Sequence, residues 1–122
     1  MHTIARLHSF DRAAQNAGLS EKEIDTIVDF LAENPEAGDE MAGTGGCRKL
    51  RWPGRGKGKS GGYRTITFYT GELMPVFLVT VFGKGQKSNL TPKECGQLKA
   101  LTKQIVQEYR KKVTPLKRGK SA

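Results

Sequence analysis

A chain of 122 residues holds one domain of useful core size and is too short for two. Its 36% hydrophobic content is modest and its net charge of +9 is high, which favours a polyanionic partner such as nucleic acid, a ribonucleoprotein or an acidic protein. Two distant cysteines and two histidines lack the spacing of a metal site or a disulfide framework, and the longest apolar stretch, residues 75–82, is too short to span a bilayer.

Taken in order, residues 3–10 alternate weakly and predict a short strand. Residues 11–17 predict one or two helical turns, closed by Gly18. Ser20-Glu21-Lys22-Glu23 is a capping box: the serine hydroxyl accepts from the amide three residues on while Glu23 reaches back. Ile24, Ile27, Val28 and Leu31 follow at helical spacing, and Asn34-Pro35 ends the helix. Residues 36–46 form a polar, glycine-containing loop.

Residues 47–52 predict a strand with Cys47, Lys49 and Arg51 on one face and Arg48, Leu50 and Trp52 on the other. Residues 63–70 are β-branched and aromatic, hence a second strand, and Gly71-Glu72 turns into a third over residues 73–82. That third run is nearly all apolar, as expected of a strand covered on both faces, with Pro75 near its start. A second basic loop carries Lys84 and Lys87. Thr91-Pro92-Lys93-Glu94 is a second capping box, with proline at the first helical position, and opens a final helix whose buried stripe is Leu98, Leu101, Ile105 and Tyr109. The order predicts an α+β domain over residues 1–113, with about four antiparallel strands packed against N-terminal helices and a C-terminal helix. Residues 114–122 read as a basic, disordered tail.

Charge is unevenly placed. Residues 1–46 carry three basic and nine acidic side chains, and residues 47–122 carry eighteen basic and three acidic ones. Seven Lys or Arg residues fall between Arg48 and Arg64, while no Asp or Glu occurs between Glu40 and Glu72. A like-charged block repels itself and waits for an opposite partner. Its ends read as strands, so the cations are mounted on a frame. Lys49 and Arg51, two apart on one strand face, stand ~7 Å from each other, comparable to successive phosphates of an extended single strand.

Two phosphate-loop patterns in the central loop fail on context. Gly56-Lys57-Gly58-Lys59-Ser60-Gly61 spells G-x-G-x-x-G, and Gly58-Lys59-Ser60 resembles the end of a Walker A loop. Both motifs require a helix immediately afterwards to receive the phosphate, and here a strand follows. Tyr63 is placed either to stack a base or to pack a strand neighbour. His2 and His8 read as satisfied or solvated rather than catalytic.

The set Gly45-Gly46-Cys47-Arg48-Lys49-Leu50-Arg51-Trp52, then Gly58 to Arg64, then Phe82-Gly83-Lys84-Gly85-Gln86-Lys87-Ser88-Asn89-Leu90 resembles the RelE/ParE superfamily of bacterial type II toxins, nearest its HigB-like branch. The resemblance implies the RelE-like fold and a toxin that is a ribosome-dependent messenger-RNA endonuclease, needing no metal or other cofactor. It also implies silencing by a cognate helix-turn-helix antitoxin of the HigA-like kind, while residues 1–6, which lack an apolar run, and two cysteines without a pairing signature predict a cytoplasmic protein with reduced thiols, away from any membrane. The family's strand lysine falls on Lys49, its second strand cation on Arg51 and its post-glycine arginine on Arg64, with the late basic loop on Lys84 and Lys87. The catalytic tyrosine and the histidine set of some members have no clear counterpart.

Metal-free RNA cleavage needs a base for the 2′-hydroxyl, positive charge on the phosphate oxygens and a proton for the departing 5′-oxygen. Crowded cations disfavour the charged form of a lysine, which makes Lys49 the candidate base or proton shuttle. Arg64 is the candidate clamp on the scissile phosphate, because guanidinium presents a planar fork. Arg51 and Lys84 complete the catalytic set, and Arg48, Lys57, Lys59, Tyr63 and Lys87 are expected to bind flanking RNA or ribosome. A non-enzymatic ParE-like inhibitor of DNA gyrase, or a plain RNA- or ribosome-binding module, are the alternatives.

Overall fold

In a computed structural model describing residues 2–53, 62–71, 73–83 and 89–121 (side chains to Arg110), the elements run β1 (Ile4–Arg6), α1 (His8–Ala17), α2 (Glu21–Glu33), β2 (Asp39–Glu40), β3 (Cys47–Trp52), β4 (Tyr63–Phe68), β5 (Val76–Gly83) and α3 (Pro92–Ser121). The strands form one sheet in the order β1-β5-β4-β3-β2. All neighbours are antiparallel except β1, which lies parallel to β5. Among the described residues the architecture is α+β, a five-stranded, mostly antiparallel sheet with three helices.

Both predicted capping boxes form. In α2 the Glu23 amide donates to Ser20 Oγ at 3.1 Å and the Ser20 amide to Glu23 Oε1 at 2.8 Å. At α3 the Glu94 amide donates to Thr91 Oγ1 at 3.1 Å and the Thr91 amide to Glu94 Oε1 at 2.9 Å. Ser20→Ala should therefore destabilise the fold by about 1 kcal/mol. A urea titration would register this as a lower midpoint with an unchanged slope.

Several boundaries differ from the sequence expectation. The predicted strand over residues 3–10 ends at Arg6, and α1 begins at His8 after Leu7, whose extended φ of −80° and ψ of 157° break the helical path. The reason is packing: starting the helix early places Phe10 and Ala14 four residues apart on one buried face. α1 closes at Gly18, whose φ of 78° is left-handed. There the Gly18 amide donates to Gln15 O and the Leu19 amide to Ala14 O. β5 starts at Val76 rather than at residue 73, and Leu73 is 89% exposed. α3 is described as far as Ser121. The polar loop over residues 36–46 contains a strand, β2, which makes five strands rather than about four.

Two cores lie on opposite faces of the sheet. On one, α1 and α2 supply Phe10, Ala14, Ile24, Ile27 and Leu31, packed on Leu78 and Val81 with Leu50, Trp52 and Tyr63 at the margin. On the other, Leu98 of α3 meets Cys47, Ile66, Phe68, Phe77, Val79 and Phe82, flanked by Leu101, Ile105 and Tyr109. β5 is thus covered on both faces, as its apolar run predicts. Leu78 and Val81 share a face despite their odd spacing because the register slips there: Ile66 opposes Thr80 while Thr67 opposes Leu78, leaving Val79 as an extra residue.

Candidate nucleic-acid interface on the sheet

The faces of β3 are those the alternation predicts. Cys47 is buried in the α3-side core, so Lys49 and Arg51, two and four residues on, project from that same face. Leu50 and Trp52 pack on the α1–α2 side. Across the ladder Lys49 opposes Ile66 and Arg51 opposes Arg64, which in turn opposes Phe82 of β5. Three of the predicted cations, Lys49, Arg51 and Arg64, are therefore brought together on one face of two adjacent strands. Arg51 is exposed, and Lys49 and Arg64 are half-buried. Arg51 and Arg64 are thus like charges directly opposed across the ladder, an arrangement that is destabilising by itself. Among the described residues neither Lys49 nor Arg51 has an acidic partner within ion-pair distance.

Arg48 and Tyr63 are not part of that cluster. Arg48 projects to the α1–α2 side, where its guanidinium donates to Gly38 O at 3.1 Å and approaches Glu40 Oε1 at 3.9 Å. Tyr63 packs, half-buried, at the edge of the α1–α2 core beside Trp52, its partner in register. Trp52 is itself fixed by an Nε1 hydrogen bond to Thr65 Oγ1 at 3.0 Å and an edge-on contact with Phe30. Lys57, Lys59, Lys84 and Lys87 lie outside the described residues. Trp52, Tyr63 and Gly83 are in register, so the chain leaves β3, enters β4 and leaves β5 at the Arg51–Arg64 end of the sheet.

The remaining chemistry-bearing side chains have structural roles. Cys47 is fully buried, and burial, only partly offset by the Thr44 hydroxyl, pushes its thiol up to about 11. It is protonated at neutral pH and is no nucleophile there. His2 Nε2 lies 2.8 Å from the Tyr69 hydroxyl, with the rings edge-on, and His8 is exposed at the start of α1. Tyr109 lines an apolar groove of about 250 Å³ with Leu7, Phe77, Leu101 and Ile105. A second cavity, of about 550 Å³, lies among His2, Phe30, Pro35 and Tyr69. Neither cavity takes in any of the three cations. Among the described residues no three His, Cys, Asp or Glu converge as metal ligands, and no helix is long and apolar enough to cross a membrane.

The chain itself matches a known toxin family. The model described as the RelE toxin of the RelE/RelB toxin-antitoxin system covers residues 2–121. The chain belongs to the RelE toxin family. It is thus the toxin of a toxin-antitoxin pair, and an antitoxin is its expected partner. In this RelE-family chain the sheet supplies cations from β3 and β4, and α3 covers the other end of the same face through Cys47, Phe68 and Phe77.

Sequence reasoning passed over one residue of this surface. Asp39, placed in a loop, opposes Lys49 across the β2–β3 ladder. The signal was present in Gly43-Thr44-Gly45-Gly46, a turn-forming run between two short extended segments. Gly43, Gly45 and Gly46 all take positive φ there.

Proposed function

We propose that this RelE-family toxin is a ribosome-dependent messenger-RNA endonuclease of the HigB-like branch, acting in the cytoplasm and opposed by a HigA-like helix-turn-helix antitoxin. The observation that carries the reading is the grouping of Lys49, Arg51 and Arg64 on one face of β3 and β4. Arg64 clamps the scissile phosphate, Arg51 adds charge to the same anion, and Lys49 moves a proton at the reacting oxygens. Lys84 completes the set from the late loop, and Lys57, Lys59 and Lys87 hold flanking phosphates. Arg48 and Tyr63, on the opposite face, would meet ribosome rather than the scissile step. Cleavage proceeds by attack of the neighbouring 2′-hydroxyl, so no metal enters the scheme. In this scheme the ribosome supplies the in-line alignment of the RNA.

Primer extension on cellular messages after brief induction, run beside a gyrase supercoiling assay, tests the assignment. New 5′ ends in translated messages support the nuclease. Inhibited supercoiling with intact messages supports a ParE-like gyrase inhibitor, and neither effect supports a plain binding module.

Salt dependence provides a second test of the surface. Each phosphate neutralised by Lys or Arg releases condensed counterions, so affinity for ribosome or single-stranded RNA should fall steeply as salt rises. Replacing Lys57 and Lys59 together should flatten the log–log slope by ~0.7 per charge removed while leaving measurable cleavage. A salt-independent affinity would place binding elsewhere.

A further inference from the structure

We infer that Asp39 is the general base of this site, taking the 2′-hydroxyl proton, and that Lys49 is its acid partner at the departing 5′-oxygen. This rests on the nuclease reading and assigns roles that the cation set leaves open. A cluster of guanidinium and ammonium groups stabilises charge well but offers no good proton acceptor at neutral pH.

Asp39 occupies the one position on the described cation face where the ladder puts a carboxylate. It opposes Lys49 in register, and because the Met41 amide donates to Cys47 O two pairs along, the Asp39–Lys49 pair is of the hydrogen-bonded type, with Cα atoms ~5.5 Å apart. The two side chains therefore leave the sheet on the same side as Arg51 and Arg64.

The segment is pinned from several directions. Gly38, with φ of 100°, sits so close to β3 that a Cβ there would come within 2.7 Å of the Lys49 carbonyl oxygen. Arg48 grips the segment from the opposite face through Gly38 O and Glu40. Within this clamp the Asp39 carboxylate is exposed and has no hydrogen bond or ion pair among the described residues. A carboxylate held on the cation face without a structural contact is placed for a substrate. Lys49 of β3 lies directly opposite it, and Arg51 of β3, Arg64 of β4 and Lys99 of α3, beside the Gly45 turn, are on the same side of the sheet.

The step balances. The 2′-oxygen gives its proton to Asp39 as it bonds to phosphorus. The bond from phosphorus to the 5′-oxygen breaks with its electron pair on that oxygen, which takes a proton from the Lys49 ammonium. The products are a 2′,3′-cyclic phosphate and a 5′-hydroxyl end. The neutral Asp39–Lys49 pair left behind then passes the proton across to reset the site. Arg51 and Arg64 hold the phosphate oxygens throughout and offset the repulsion between Asp39 and the RNA.

The experiment is single-turnover cleavage of a short message on programmed ribosomes across a pH series, with Asp39→Asn, Asp39→Glu and Lys49→Ala, folding checked by circular dichroism. Asp39→Asn should lose about 10²–10⁴-fold in rate, the usual contribution of general base catalysis, and lose the acidic limb of the profile. Asp39→Glu should keep that limb at a reduced rate. A message with sulfur in place of the scissile 5′-oxygen needs no proton on leaving. It should restore Lys49→Ala toward the wild-type rate and leave Asp39→Asn slow. A wild-type rate and profile for Asp39→Asn, or its rescue by the sulfur leaving group, overturns the assignment alone. Wild-type protein that leaves the message intact overturns the nuclease reading and this inference with it.

Discussion

Cells expressing Lys49→Ala or Arg64→Ala without antitoxin should keep growing, where the unaltered chain arrests them. Both side chains come from strand positions whose backbone is held by β4 and β5 pairing, so the ladder does not depend on them. Removing one donor that stabilises developing transition-state charge costs ~10²–10³-fold in turnover, and loss of a proton-transfer group costs ~10²–10⁴-fold. On the proposed nuclease reading, either loss brings message cleavage below the rate at which transcription replaces the messages. The check has two parts: colony growth on induction, and circular dichroism or urea unfolding showing that each variant is folded. Full toxicity from a folded Lys49→Ala, Arg64→Ala double variant would remove these residues from the chemistry. Arg64→Lys should recover only part of the activity, because an ammonium lacks the guanidinium fork that grips two phosphate oxygens at once.

The largest effect on stability is expected at Phe10. Its side chain is fully buried between α1 and the sheet, in the core that also contains Ile24, Ile27, Leu31 and Leu78. Truncating a buried phenylalanine removes its transfer free energy and leaves a cavity that a close-packed interior refills only in part. Phe10→Ala should cost ~3–5 kcal/mol, against a total stability on the order of 5–15 kcal/mol for a domain of this kind. Urea unfolding followed by circular dichroism should show a large fall in midpoint, and the variant should accumulate poorly in cells. Phe10→Leu, which keeps most of the volume, should recover the greater part. A Phe10→Ala protein as stable as the parent would mean that α1 is not packed as described.

These two predictions differ in how far the sequence supported them. Lys49, Arg51 and Arg64 were legible because strand alternation and a run without acidic residues both point to them, and period-two alternation survives folding wherever one face is covered. Phe10 was misplaced, read as the end of a strand, because the chain switches from extended to helical at Leu7 without a polar capping residue to mark it. The capping boxes at Ser20 and Thr91 were marked by local chemistry, and both formed. The five-stranded sheet was undercounted because β2 has two residues, too few for any periodic signal.

By itself the sequence determined the class of the fold, the starts of α2 and α3 and the two faces of β3, since each depends on neighbours within a few residues. Only the tertiary structure decided the rest. It turned Arg48 into a clamp on Gly38 and Glu40, packed Tyr63 beside Trp52, ran β1 parallel to β5 and set Asp39 opposite Lys49. Each of these depends on which segments meet across the sheet. Strand pairing between residues distant in the chain is settled by how the faces bury together, and no local pattern carries that information.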